Sequence, residues 1–265
     1  MEGSFKGILY PARLPTFHRL PAPAAVADLV QWFWIPEWDI QPGRTSRQHL
    51  IAYPASNLVV QPDAVEFSGP TTHATYRDLA GRGWAVGALL RPAAVPLFTD
   101  DPGSLRDTGL ALPLHDLRLS VSAAMDSPDG GARRERAVAA FVAWLVSLGA
   151  VVSDEGLLAN AMMEVIASDS GVTRIEDVAS RISVSPRTLQ RVARKYIGLS
   201  PSVLIRRRRL QDAAERSRTD PSADLAEIAA ELGYADHAHL TNDFQKYLGF
   251  TPSTYRRSFG AATPG

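Results

Sequence analysis

One pattern occurs twice in this 265-residue chain, and that duplication constrains its fold more than any other feature. The first copy reads Ile175-Glu-Asp-Val178-Ala179, then Ser183-Val-Ser185-Pro186-Arg-Thr-Leu189, then Tyr196-Ile-Gly198-Leu-Ser200-Pro201. The second reads Leu225-Ala-Glu-Ile228-Ala229, then Gly233-Tyr-Ala-Asp236-His-Ala-His-Leu240, then Tyr247-Leu-Gly249-Phe-Thr251-Pro252. Ile175 and Leu225 stand 50 residues apart and Tyr196 and Tyr247 stand 51 apart, so the second turn is one residue longer.

Each copy encodes helix, tight turn, helix. Thr173 with Glu176, and Asp224 with Glu227, have the spacing of a capping box. Ser185 before Pro186 is an N-cap followed by proline in the first helical position, and Asp236 caps the equivalent helix of the second copy. Val178, Ala179, Ile182, Leu189 and Val192 close a small core, which Ile228, Ala229, Leu232, Leu240 and Phe244 repeat. The small Ala179 and Ala229 let two helices cross at the steep angle of a helix-turn-helix. Ser200-Pro201 opens a connecting helix expected to reach about Arg216, before Thr219-Asp220-Pro221 stops it. Its ~16 residues span ~24 Å, a rigid spacer for two reading units in successive major grooves ~34 Å apart.

Residues 171–258 closely resemble the AraC/XylS-type DNA-binding domain. The resemblance rests on the tandem units, on Arg209-Leu210 with Ala213 in the connecting helix, and on Ile228-Ala229 followed by Gly233-Tyr234. The ending Gly249-Phe-Thr-Pro252-Ser-x-Tyr255-Arg256 completes it. It covers about a third of the chain and implies a bacterial, cytoplasmic transcription regulator acting on double-stranded DNA, with RNA polymerase as a possible partner. The N-terminal part is only loosely similar to the sensor domains that precede this module, which implies a small β-barrel with an effector or dimer role.

In the first unit, Arg187, Gln190, Arg191 and Arg194 share one helical face, with Thr188 and Lys195 beside it. Arg and Gln make bidentate contacts to guanine and adenine edges. The second unit offers His237, Ala238, Thr241, Asn242 and Gln245 instead. Asn242 stands where the family commonly has Arg, and Asp243 adds a negative charge beside it, so this unit is expected to contribute less affinity and more positioning. His237 and His239 point to different sides of a helix, which argues against a metal pair. Arg206 to Arg209 sweep the whole circumference of the connecting helix, so they divide between phosphate contact and ion pairs with Asp212 and Glu215. Arg256 and Arg257 are expected phosphate anchors.

Charge follows this division. Residues 171–265 hold 15 Lys+Arg against 10 Asp+Glu, and residues 1–170 hold 13 against 18, within a neutral total of 28 and 28. The basic third suits a polyanion. The bias to 25 Arg over three Lys weakens the point, because it fits a composition habit.

Residues 8–100 read as short strands separated by Pro, Gly and Asn breakers: Val30–Ile35, His49–Tyr53, Asn57–Gln61, Val65–Ser68, His73–Arg77 and Trp84–Arg91. Pro92–Asp116 reads as a short helix and loops. The fold class is thus α+β and multidomain: a β-rich, barrel-like sensor or assembly domain over 1–125, a helical connector over 126–170, the all-α DNA-binding domain over 171–258 and a flexible tail over 259–265. The connector is expected as a hairpin of two helices, 133–148 and 154–167. The first is apolar around much of its circumference, which fits packing within the monomer or, the favoured reading, a homodimer seam.

The cluster of Trp32, Phe33, Trp34 and Trp38 reads first as core. The sharper reading is a barrel-mouth pocket in which Trp32 and Trp34 stack a small apolar or aromatic effector, with His49 or Arg91 supplying polarity. The alternative is a ligand-independent platform for oligomerisation or partner binding. An enzyme of the metal-cupin kind is disfavoured, since His18, His49, His73 and His115 are scattered without metal-ligand spacing. No phosphate loop or nucleophile elbow appears, so neither catalysis nor a cofactor is expected. The absence of cysteine removes disulfides, thiolate metal sites and thiol redox sensing. The start lacks a basic segment leading into an apolar one, so no signal peptide is expected. Ala137–Val152 is too short an uncharged run to span a membrane.

Overall fold

The computed structural model describes residues 16–220 and 222–259. The chain start, Pro221 and all of the expected tail except Phe259 lie outside them. Nine strands come first: β1 (Phe17–Pro21), β2 (Val30–Asp39), β3 (Thr45–Leu50), β4 (Asn57–Val60), β5 (Val65–Ser68), β6 (Thr75–Ala80), β7 (Arg82–Trp84), β8 (Val86–Leu90) and β9 (Gly109–Ala111). The α-helices of the described residues follow: α1 (His115–Met125), α2 (Gly130–Ser147), α3 (Asp154–Ser168), α4 (Ile175–Arg181), α5 (Pro186–Tyr196), α6 (Pro201–Thr219), α7 (Leu225–Glu231), α8 (His237–Asp243) and α9 (Pro252–Phe259).

The main sheet is antiparallel in the order β1-β2-β8-β4-β5-β9, with β7 on the far end of β2, and β3 and β6 form a separate ribbon. β1 and β9 do not meet, so the barrel-like expectation gives way to an open sheet. Helices α1 and α2 cover it in place of further strands. Phe33, Ile35, Leu58, Phe67 and Val86 from the sheet pack with Leu117, Val121, Phe141 and Leu145 from the helices, and the Phe33 and Phe141 rings meet edge-on at 5.4 Å.

The Trp cluster divides across β2. Strict alternation puts Val30 with Trp32 and Trp34, but a bulge between Val30 and Trp32 shifts the register. An extra residue on one strand inverts the parity of what precedes it. Val30, Phe33 and Ile35 are therefore all buried in the core, while Trp32 and Trp34 share the other face, half-buried.

The expected connector is the largest correction. α2 and α3 do not pair as a hairpin, because each belongs to a different core. Ala137, Val138, Phe141 and Leu145 of α2 are buried against the sheet and α1. Most of the apolar surplus that suggested a dimer seam is spent inside the molecule, with Val146 and Leu148 left exposed. Ala159, Met162 and Ile166 of α3 instead close the first helix-turn-helix core, against Val178, Leu189, Val192 and Leu204. Helix α3 thus packs with the helices that follow residue 171. A second core gathers Leu210, Ala213, Ile228, Leu240, Phe244 and Tyr255 around the far half of α6.

The two units repeat at the level of backbone angles. Ser183 has φ of 55° at the first turn, and Gly233 has φ of 69° at the second. A β-carbon in this region costs roughly 1 kcal/mol, which the second unit avoids and the first does not. Two outcomes follow for stability. Ser183→Gly should raise it by up to about 1 kcal/mol in urea unfolding, less the entropy that glycine gains in the unfolded chain. A fragment of residues 152–259 should unfold cooperatively on heating, and one of 171–259, lacking Met162 and Ile166, should not.

Candidate nucleic-acid interface

Each reading helix is set by a local cap. Ser185 accepts from the Thr188 N–H at 3.1 Å to start α5, with Pro186 following, and Asp236 accepts from the His239 N–H at 2.7 Å to start α8. Asp224 caps α7 through the Ala226 N–H. At α4 the reciprocal carboxylate is Asp177 and not the expected Glu176. Its oxygen accepts from the Thr173 and Arg174 N–H groups at 2.9 and 3.0 Å, and these bonds help hold Asp177 down at about 2.

On α5, Leu189, Val192, Ala193 and Tyr196 face the core, which leaves Arg187, Gln190, Arg191, Arg194 and Lys195 exposed, while Thr188 is half-buried against Ser185. The first-unit residues named from sequence therefore lie together on one surface. Arg187 and Arg194 make no ion pair with any described residue. Arg191 and Lys195 both pair with Glu155 at the start of α3, Lys195 at 2.5 Å.

The second unit differs in charge. His237, Asn242 and Gln245 are exposed and Thr241 is half-buried, so its face carries mostly polar groups, with the exposed Lys246 as its fixed cation. Asp243 is not on that face. It is buried, with Arg206 4.0 Å away and Tyr234 beside it, and burial, then this carboxylate, push the Tyr234 hydroxyl pKa well up. Asn242 consequently stands clear of the negative charge that the sequence placed next to it.

The remaining arginines are mostly structural. Arg207 is fully buried in α6 and donates to the Ala52 carbonyl. Arg208 is buried too, bonded to Asp212 and to the Ser170 and Val172 carbonyls. Arg209 lies over the Tyr234 ring at 4.8 Å. Arg256, expected as a phosphate anchor, turns inward to the Ala223 carbonyl at 2.5 Å and leaves Arg257 exposed.

The sheet domain touches both units at equivalent places. A β-carbon on Gly198 would lie 2.6 Å from the backbone of Pro102 and Gly103, and one on Gly249 would lie 2.4 Å from the His49 ring. The β3–β6 ribbon also reaches the wide turn Phe244–Leu248 that continues α8. The Ala52 and Ala74 N–H groups donate to the Tyr247 and Lys246 carbonyls at 3.0 and 2.9 Å. Burial lowers the pKa of His49, which favours a neutral ring whose Nε2–H donates to the Leu248 carbonyl at 2.6 Å.

The four proposed effector residues do not converge. Trp34 donates to Asn57 and stacks on Phe17, and Trp32 meets the Tyr53 ring and the Arg19 guanidinium. His49 belongs to the contact with the second unit. Only Arg91 lines the cavity of about 120 Å³ between the sheet domain, α3 and α6, together with Tyr53, Asn160, Met163, Leu204 and Arg207. Sequence reasoning missed that cavity because its walls come from segments more than a hundred residues apart. Among the described residues no cluster of His, Asp and Glu could hold a metal ion, and no helix is long and apolar enough to cross a membrane.

Residues 178–258 match a family described as a helix-turn-helix domain, and residues 18–109 match one described as a domain of unknown function, DUF6597. The chain is 33% identical over 84 residues to the HTH-type transcriptional activator AarP of Providencia stuartii, covering 32% of this chain and 62% of that one. It is 29% identical over 123 residues to a putative AraC-like transcription regulator of Streptomyces antibioticus, covering 46% and 39%. Its C-terminal domain is similar to those of AraC-like transcription regulators. The chain spans about a third of an uncharacterized HTH-type regulator from Haemophilus influenzae, at 32% identity over 101 residues, so the relationship rests on the AraC-type domain. Among solved structures, ToxT of Vibrio cholerae aligns with 86% of this chain and 97% of its own at 12% identity, with a TM-score of 0.44.

The Asp177 cap carries a pH prediction. Its pKa is depressed from 3.8 to about 2, so its contribution to stability is present above pH 4 and is lost as pH falls toward 2. Urea midpoints measured between pH 5 and pH 2 should fall for the wild type. Asp177→Asn should flatten part of that fall and leave the part due to Glu155, which titrates in the same range.

Proposed function

We propose that this chain is a sequence-specific DNA-binding transcription regulator whose first helix-turn-helix reads bases and whose second mainly positions the protein. The observation that carries the reading is the exposed face of α5, where Arg187, Gln190, Arg191 and Arg194 stand on a rigid helix over a closed core. Such side chains make paired hydrogen bonds to guanine and adenine in the major groove. The face of the second unit, with His237 and Asn242 on α8 and Gln245 just beyond it, gives weaker attraction to phosphate and suits placement more than affinity. The regulator names of the relatives support the same reading.

We further infer that a small molecule controls it from the cavity between the sheet domain, α3 and α6. A site of about 120 Å³ is close to the roughly 150 Å³ that takes up benzene in an engineered core. An occupant would touch the sheet domain and the helix that spaces the two reading units at once. It would shift the equilibrium between domain arrangements by its difference in affinity for them.

Genomic DNA selection with the full-length protein tests the DNA reading. Gln190→Ala should flatten discrimination at one or two base pairs by about 1–3 kcal/mol, and Asn242→Ala should do less. If the full chain enriches nothing, selection with residues 152–259 separates a closed arrangement from a wrong assignment. For the effector, a compound found by thermal shift should change affinity for the selected DNA, and Arg91→Ala should remove that change. Equal affinity and equal quaternary state with and without every hit would favour the ligand-independent role for the sheet domain.

A further inference from the structure

Glu155 sits in the first turn of α3, outside both helix-turn-helix motifs, yet its carboxylate faces the reading helix. It accepts from Arg191, from the Lys195 ammonium at 2.5 Å and from the Tyr196 hydroxyl at 3.2 Å. Lys195 and then Arg191 are the main reasons its pKa is drawn down to about 2, so it is ionised throughout the physiological range. The Glu155 side chain is 24% exposed, whereas Arg191 is 61% and Lys195 53% exposed. The two cations are thus neutralised from behind while they remain within reach of DNA. Arg187 and Arg194, on the same helix, have no carboxylate partner among the described residues.

We propose that Glu155 is a specificity-setting residue, which withholds Arg191 and Lys195 from indiscriminate phosphate contact and yields Arg191 only to a matching base pair. This rests on the reading of α5 as the DNA-contacting helix. Binding to DNA of any sequence grows with the number of phosphates that free Lys and Arg neutralise. Pairing two of the four cations on α5 with one carboxylate removes them from that count. An exposed ion pair of this kind is worth at most about fivefold in affinity. A bidentate contact to guanine discriminates by roughly fivefold to a hundred-and-fiftyfold. The correct base can therefore take Arg191 from Glu155, and a lone phosphate gains little by doing so. Discrimination arises because the wrong partner must break an existing bond. Glu155 touches no DNA itself and acts through the side chains it holds.

The test compares full-length wild type and Glu155→Gln on the duplex enriched by genomic selection and on a scrambled duplex of equal length and composition, across a salt series. Glu155→Gln should tighten binding to the scrambled duplex severalfold. It should also steepen the slope of log affinity against log salt there by up to about 2, near 0.9 for each released cation. The selected duplex should gain less, so the ratio between the two falls. Lys195→Gln gives a second measurement: it should barely change the scrambled-duplex slope in wild type and lower it by about 1 in the Glu155→Gln background. An unchanged slope and ratio in Glu155→Gln, or equal weakening on both duplexes, would overturn the proposal. Arg194→Ala keeps this separate from the underlying assignment, because it should weaken both duplexes whether or not Glu155 matters. If Arg194→Ala has no effect, the DNA reading of α5 fails, and with it the proposal.

Discussion

The arrangement of the molecule depends on a buried amide, Asn160. Its Oδ1 accepts from the Ala93 N–H at 3.0 Å and its Nδ2 donates to the Asp28 carbonyl at 2.9 Å, joining α3 to the sheet domain. A polar group buried this way must find both partners or lose their worth, so it fixes an orientation that apolar packing alone would leave loose. The neighbouring turn of α3 adds Gly156, where a β-carbon would come within 3.2 Å of Ala93. The other face of α3 supplies Met162 and Ile166 to the first helix-turn-helix core. One helix is therefore a wall of the DNA-binding domain and the bracket that holds it to the sheet, and it also presents Glu155 to the reading helix.

The duplicated units share a scaffold and differ where they meet solvent. Each has an αL residue in its turn and a glycine after its second helix, and in each that later glycine abuts the sheet domain. Their surfaces diverge: four cations on α5 against polar groups and the single Lys246 in the second unit. Structural arginines are spent in the interior between the units, where Arg207 and Arg208 bond to backbone carbonyls.

Much of this was legible in the sequence, and what was not has specific causes. β5 was read at its full extent, and both reading helices were placed by their caps, because Ser185-Pro186 and Asp236 act on residues nearby. α1 was missed because Leu114, at its cap position, offers no side-chain bond to mark its start. Strict alternation along β2 gives the wrong face for Val30, because a bulge leaves no mark in the pattern of apolar residues. Periodicity identified α3 as a helix but could not say which core it would join. The run Arg206–Arg209 looked like a charged surface. That Arg207 is interior depends on a carbonyl at Ala52, 155 residues away, which no local signal carries.

The ribbon of β3 and β6 has a consequence for how the two domains depend on each other. Two-stranded ribbons leave unpaired donors and acceptors along their edges, and exposed edges invite pairing with other chains. Here the Ala52 and Ala74 N–H groups, just beyond those strands, are occupied by the turn that follows α8. The second helix-turn-helix unit thus occupies two backbone donors at one end of the ribbon. Swinging it away, or truncating the chain before it, would leave those two donors without their carbonyl partners and loosen that end of the ribbon.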